Sequence, residues 1–188
     1  MPDSLLSTGA ALVLVDIQND YFPGGAMELA GADAAAEAAG RVLDAFRRRG
    51  LPVVHVRHES VRPGSTFFLP GTPGADIHPR VAPLPGEAVL TKHFPNSFRD
   101  TGLEELLRGR GVSRLVVCGM MTHMCVDATV RAAFDLGFPV NLVPDACATR
   151  DLAFAGRPVA AADVHAAFLA ALAAVYATPV ESARLLAG

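Results

Sequence analysis

A chain of 188 residues with a formal net charge of -3 and 19% charged residues has neither the basic surplus that nucleic acid demands nor the acidic surplus of a solvated tail. Its 51% apolar content suits one domain over residues 1 to 188, large enough to bury about 70% of the surface that the unfolded chain exposes. A small molecule is therefore the expected partner, with no role for nucleic acid or a membrane.

The N-terminal stretch "MPDSLLSTGAALVLVDIQ" carries an acid where a signal peptide needs positive charge, and its apolar run ends after six residues. "ALVLVD" (11 to 16) is the first expected strand, and an apolar helical pattern over 31 to 49 follows it, closed by Gly50. "PVVHVR" (52 to 57) is the second strand. Residues 58 to 87, rich in Pro and Gly, form one long irregular stretch of the kind that shapes binding pockets. "AVLTK" (88 to 92), a helix over 100 to 110, "RLVVCG" (114 to 119), a helix over 123 to 136, "PVNLVP" (139 to 144) and a helix over 160 to 171 continue the alternation, and "AAVYAT" (173 to 178) is a weaker sixth strand. The longest apolar stretch, Ala166 to Ala177, is too short to span a bilayer. This rhythm predicts an α/β fold, a three-layer α-β-α sandwich around a six-stranded, mostly parallel, Rossmann-like sheet.

Ligands of such sheets bind at the carboxyl ends of the strands, where strand order reverses. The first strand ends at Asp16, the third at Lys92, and the fourth leads through "GMMTHM" to Cys125. Taken singly, each has a plain alternative: a strand-end cap, a solvated amine, a small buried hydrophobe. Together they suggest a nucleophile whose thiol is activated by a helix start and an ammonium, with Asp16 relaying the proton and amides of the 119 to 125 turn holding an oxyanion.

Phosphate-loop, dinucleotide and serine-elbow patterns are all missing. His55 and His58 lie close in sequence but face opposite sides of a strand, so no metal or other cofactor is expected. Cys118, Cys125 and Cys147, an odd number in apolar contexts, fit a reducing cytoplasm.

"LVLVDIQNDYF", "TKHFPNSF" and "VVCGMMTHMCVDATVRAAFDLGF", in this order and spacing, resemble the isochorismatase-like cysteine hydrolase superfamily over about residues 10 to 178. That resemblance implies a six-stranded parallel sheet, an Asp16, Lys92 and Cys125 triad, a cis peptide bond at Met120–Met121, and an oxyanion hole from the Met121 and Cys125 amides. It also implies pocket roles for Phe22 and Phe98, whose alternative is core packing. Arg57 and His58 are candidates to touch an anionic or carbonyl group of the substrate. Nicotinamidases of the superfamily bind a metal through an Asp-x-His pair where this chain has "HVRHES", and true isochorismatases generally lack the cysteine. The resemblance thus implies metal-independent hydrolysis of an amide or carbamoyl C–N bond through a thioester, with ether or ester hydrolysis and a non-catalytic binding role as alternatives. The apolar C-terminal helix and the superfamily's habits add an expectation of self-association into a homo-oligomer.

Overall fold

The computed structural model describes residues 5 to 187. Six strands form one sheet: β1 (Ala10–Val15), β2 (Val53–His58), β3 (Ala88–Lys92), β4 (Arg114–Met120), β5 (Val140–Ala148) and, after two hairpin strands β6 (Leu152–Phe154) and β7 (Arg157–Val159), β8 (Thr178–Pro179). Their order is β3-β2-β1-β4-β5-β8, and every neighbouring pair is parallel. The helices are α1 (Ala32–Arg48), α2 (Leu103–Gly109), α3 (Asp127–Asp135), α4 (Ala161–Val175) and α5 (Ser182–Leu186).

β1 is buried along its whole length, because both faces of a central parallel strand are covered. Its aliphatic run therefore shows no alternation. α1 buries Ala35, Ala36, Ala39, Val42, Leu43 and Phe46, an i, i+3, i+4 stripe that lies on the sheet together with α5. α3 and α4 pack together, and right-handed crossovers put them on the other face. Strand order reverses between β1 and β4, so the carboxyl ends of these two strands open the crevice.

Three expectations need correction. Residues 173 to 178 are not a strand: Ala173 to Val175 finish α4, and only Thr178 and Pro179 pair with β5. An Ala- and Leu-rich run is a strong helix former, and its shortness hides that preference. β5 continues past Pro144 to Ala148, with two steps on β4 (Val117 to Gly119) facing five on β5 (Leu142 to Cys147). Pro144 cannot donate to the ladder, and the slip in register accommodates it. The segment before α3 is a π-turn over Thr122–Val126 rather than the start of a regular α-helix.

The 58 to 87 stretch has two short 3-10 turns and is pinned to the loop that follows β1. Asp20 accepts from Phe68 N–H at 2.6 Å, His78 N–H donates to Ile17 O at 2.8 Å, and Asn19 N–H donates to Asp76 O at 3.0 Å. Gly74 comes so near Asp20 that an added Cβ would stand 2.1 Å from Oδ1, which only glycine permits.

Candidate active site

Asp16 follows β1 with φ 51, a left-handed backbone that is costly for a residue with a side chain. That turn aims its carboxylate into the crevice. Lys92 is the last residue of β3, and Cys125 sits inside the π-turn that leaves β4 after a cis Met120–Met121 peptide bond. All three side chains are buried, and they converge: Lys92 Nζ lies 2.7 Å from Asp16 Oδ2 and donates to Cys125 Sγ at 3.2 Å. Lys92 and Asp16 form a buried ion pair through Oδ2, which leaves Asp16 Oδ1 without a partner among the described residues. Its lone pairs stay available for a proton.

Electrostatics set the resting state differently from the sequence expectation. Burial, and then the Asp16 charge, push the Cys125 thiol well up, and the Lys92 ammonium only partly offsets them. A helix start and a lysine were expected to lower it; a sealed π-turn beside a carboxylate reverses the sign. Burial also raises Asp16 against the pull of Lys92. Burial pulls Lys92 down, but Asp16 and Cys125 outweigh it and its pKa is raised. The geometry thus favours a protonated thiol at rest, an ammonium, and a carboxylate of raised basicity able to take the thiol proton.

A third acceptor meets the same ammonium: His58 Nδ1 lies 3.1 Å from Lys92 Nζ. Asp16, His58 and Cys125 offer donor atoms within 4.8 Å of one another, a spacing that suits a cation. Lys92 is that cation. With its ammonium in contact with all three, a divalent ion at the same point would meet direct repulsion, so these residues do not fit a resident metal.

Of the remaining candidates, Met121 holds the turn through its carbonyl, which accepts from Met124 N–H at 3.0 Å and Val126 N–H at 3.2 Å. Phe22 stacks on His78, with ring centroids 3.7 Å apart, on the docked loop. Phe98 packs against Phe138, next to the amino end of β5 and away from the crevice. Arg57 points to the other side of β2 from His58, and its guanidinium is engaged by Thr91 and Glu59, none of its hydrogen bonds reaching the triad.

Sequence reasoning passed over Gln18 and Tyr21, although both stand in the quoted "DIQNDYF". Gln18 is fully buried, and its amide clamps the His58 backbone, accepting from His58 N–H at 2.7 Å and donating to His58 O at 2.9 Å and Ala75 O at 2.8 Å. Tyr21 packs edge-on to Phe68 at 4.5 Å, and burial, then the Cys125 and Asp16 charges, push its phenol up, which keeps it protonated beside the triad. An uncharged glutamine after a strand carries no signal of its own until its partners are known.

Comparison with known proteins agrees with this architecture. Residues 10–184 match the isochorismatase domain. The chain is 51% identical to the isochorismatase family protein YddQ of Bacillus subtilis, over 89% of this chain and 93% of that one. It is 30% identical to the nicotinamidase of Escherichia coli, over 73% of this chain and 82% of the other. A crystal structure of an isochorismatase hydrolase from Oleispira antarctica superposes with a TM-score of 0.93 at 51% identity, covering 97% of this chain and 98% of that one. A parallel sheet with its order reversed beside Asp16, a lysine closing β3 and a thiol in the turn after β4 are thus set in a matching domain, and the chain belongs to the isochorismatase family of hydrolases.

Proposed function

We propose that this protein is a cysteine-dependent amidohydrolase that cleaves a carboxamide or carbamoyl C–N bond of a small molecule through a thioester on Cys125. The observation that carries the reading is the simultaneous contact of Lys92 Nζ with Asp16 Oδ2 and Cys125 Sγ in a buried crevice. Asp16 accepts the thiol proton as Sγ bonds to the carbonyl carbon, while the Met121 and Cys125 amides receive the oxyanion. The C–N bond then breaks, and the proton passes from Asp16 to the departing nitrogen. Water, deprotonated by Asp16, opens the thioester and releases the acid; the proton returns from Asp16 to sulfur. Lys92 stays charged throughout and offsets the negative charge as it moves between carboxylate, sulfur and oxyanion.

No metal takes part in this reading, because Lys92 occupies the point on which the three donor atoms converge. Self-association through α4 belongs to it too: the helix exposes Ala166, Ala167, Ala170, Ala171, Ala174 and Val175. A reducing compartment is supported by three unpaired, buried cysteines.

The decisive experiment is Cys125→Ala, which removes the nucleophile and little volume. Turnover of any amide that the wild-type protein hydrolyses should vanish while the fold persists, and mass spectrometry of quenched wild-type protein should find the acyl group on Cys125. More than a few per cent residual activity would rule out the thioester, and dependence on a metal after chelation would rule out the metal-free site.

A further inference from the structure

His58 closes β2, and its backbone cannot drift, because the buried Gln18 amide holds both its N–H and its carbonyl. Its ring meets Lys92 Nζ through Nδ1 at 3.1 Å. An ammonium has donors only, so Nδ1 presents a lone pair and the ring proton is carried by Nε2. Burial, and then the Lys92 charge, hold His58 down to about 3, which leaves the ring neutral in ordinary buffers. Nε2–H is then a donor of fixed position. Among the described residues it has no hydrogen-bond partner, and His58 is only half-buried, so the donor is free for a small molecule.

The groups that share Lys92 with His58 are committed. Lys92 has three N–H groups and three acceptors around it: Asp16 Oδ2, His58 Nδ1 and Cys125 Sγ. Asp16 has to cycle a proton. Of the three groups that contact Lys92, only His58 keeps a donor that the chemistry does not use.

We propose that His58 selects the substrate, its Nε2–H donating to an oxygen acceptor, a second carbonyl or a carboxylate, that the substrate carries close to its scissile carbonyl. This rests on the amidohydrolase reading of the same site and deepens it: the substrates are amides or carbamoyl compounds with a neighbouring oxygen acceptor, and plain aliphatic amides are poor ones. A substrate without that acceptor strips water from Nε2–H and gives nothing back, the asymmetry that makes an unmet buried donor so discriminating.

The test pairs pyruvamide with isobutyramide and malonamide with butyramide, each acceptor-bearing amide against a counterpart that lacks the second carbonyl. Wild-type protein should favour the acceptor-bearing member in kcat/KM and in acylation of Cys125 by about tenfold or more. His58→Leu also removes the Nδ1 contact to Lys92 and so lowers both members, but it should erase the preference by lowering the acceptor-bearing member by the larger factor. His58→Gln, whose amide oxygen can take Lys92 while its nitrogen donates, should keep part of it. Equal losses on both members of a pair, or no preference in the wild-type protein, would overturn the proposal.

A second measurement does not depend on turnover. Nitrogen-15 spectra of the His58 ring should show the proton on Nε2, and malonamide, but not butyramide, should shift its resonance. A proton on Nδ1, or no shift with malonamide, overturns the proposal even in a protein that hydrolyses nothing. A shift with malonamide but no acyl-Cys125 with any amide upholds the donor and counts against the amidohydrolase reading instead.

Discussion

Gly119 on β4 lies against Val15 on β1 so closely that a Cβ on Gly119 would stand 2.0 Å from the Val15 carbonyl oxygen. The seam joins the strand that presents Asp16 to the strand that leads into the cysteine turn, and its backbone φ of 135 is open to glycine and strained for other residues. Gly119→Ala should therefore cost about 3 kcal/mol or more, by overpacking against backbone that cannot yield. Urea denaturation of the purified variant checks it, and a midpoint close to wild type would show that the seam can part.

Asp16→Asn should separate catalysis from reactivity. Turnover should fall by about 10²-fold or more, since the amide cannot accept and return a proton. The thiol should become easier to ionise, because the Asp16 charge is one cause of its raised pKa and Lys92 stays in place. Alkylation of Cys125 by iodoacetamide at neutral pH should consequently speed up while hydrolysis nearly stops. A slower alkylation would remove Asp16 from the electrostatics of the thiol.

Lys92→Met leaves a buried carboxylate without its cation, a change that costs about 3–5 kcal/mol where the charge cannot escape. Asp16 can escape by taking a proton. Its folded-state pKa already lies above 3.8 and would climb further, so stability is fully present below 3.8 and is lost as pH rises through the folded value. The variant should be markedly less stable at about pH 8 than at about pH 5, and the added Asp16→Asn change should restore the loss. Thermal melts of the single and double variants across that range test it. Equal destabilisation at both ends would mean that lost packing, not charge, is responsible.

At the amino end of the sheet, Glu87 joins Arg47, the Leu84 amide and His55. The Arg47 hydrogen bonds lead in pulling its carboxyl from 4.5 to about 2. A depressed acid stabilises the fold above its unfolded value, so this contribution should be lost as pH falls from 4.5 towards 2. Glu87→Gln should be less stable at neutral pH and should lose less on acidification. Chemical denaturation at several acid pH values measures the slope, and an unchanged slope would exclude Glu87 as a source of acid lability.

The sheet was legible because its strands are aliphatic runs separated by amphipathic stripes, and the meeting of Asp16, Lys92 and Cys125 because an acid, an amine and a thiol each follow such a run. Less could be read from short elements. Thr178 and Pro179 make a strand only because β5 lies beside them, and β6 and β7, three residues each, are too short for a period to show. The thiol's resting state was misjudged for a related reason: its sign depends on burial and on a carboxylate 109 residues earlier in the chain, whereas the helix start that the sequence displays is local. Gln18 escaped notice because its three partners are backbone atoms, which every residue type supplies.

The stretch after His58 begins and ends on fixed ground. Ser60 N–H donates to Phe68 O at 2.8 Å, and Phe68 N–H is latched by Asp20, so residues 61 to 67 form a closed excursion whose two feet touch. Val61, Arg62, Pro63 and Gly64 are exposed. Because loop closure costs little more as a loop lengthens, residues can be added or exchanged there while the feet, and the chemistry beneath them, stay put. The excursion is a cassette: grafting a different rim between the same two feet is a route to a new pocket edge that leaves Asp16, Lys92 and Cys125 untouched.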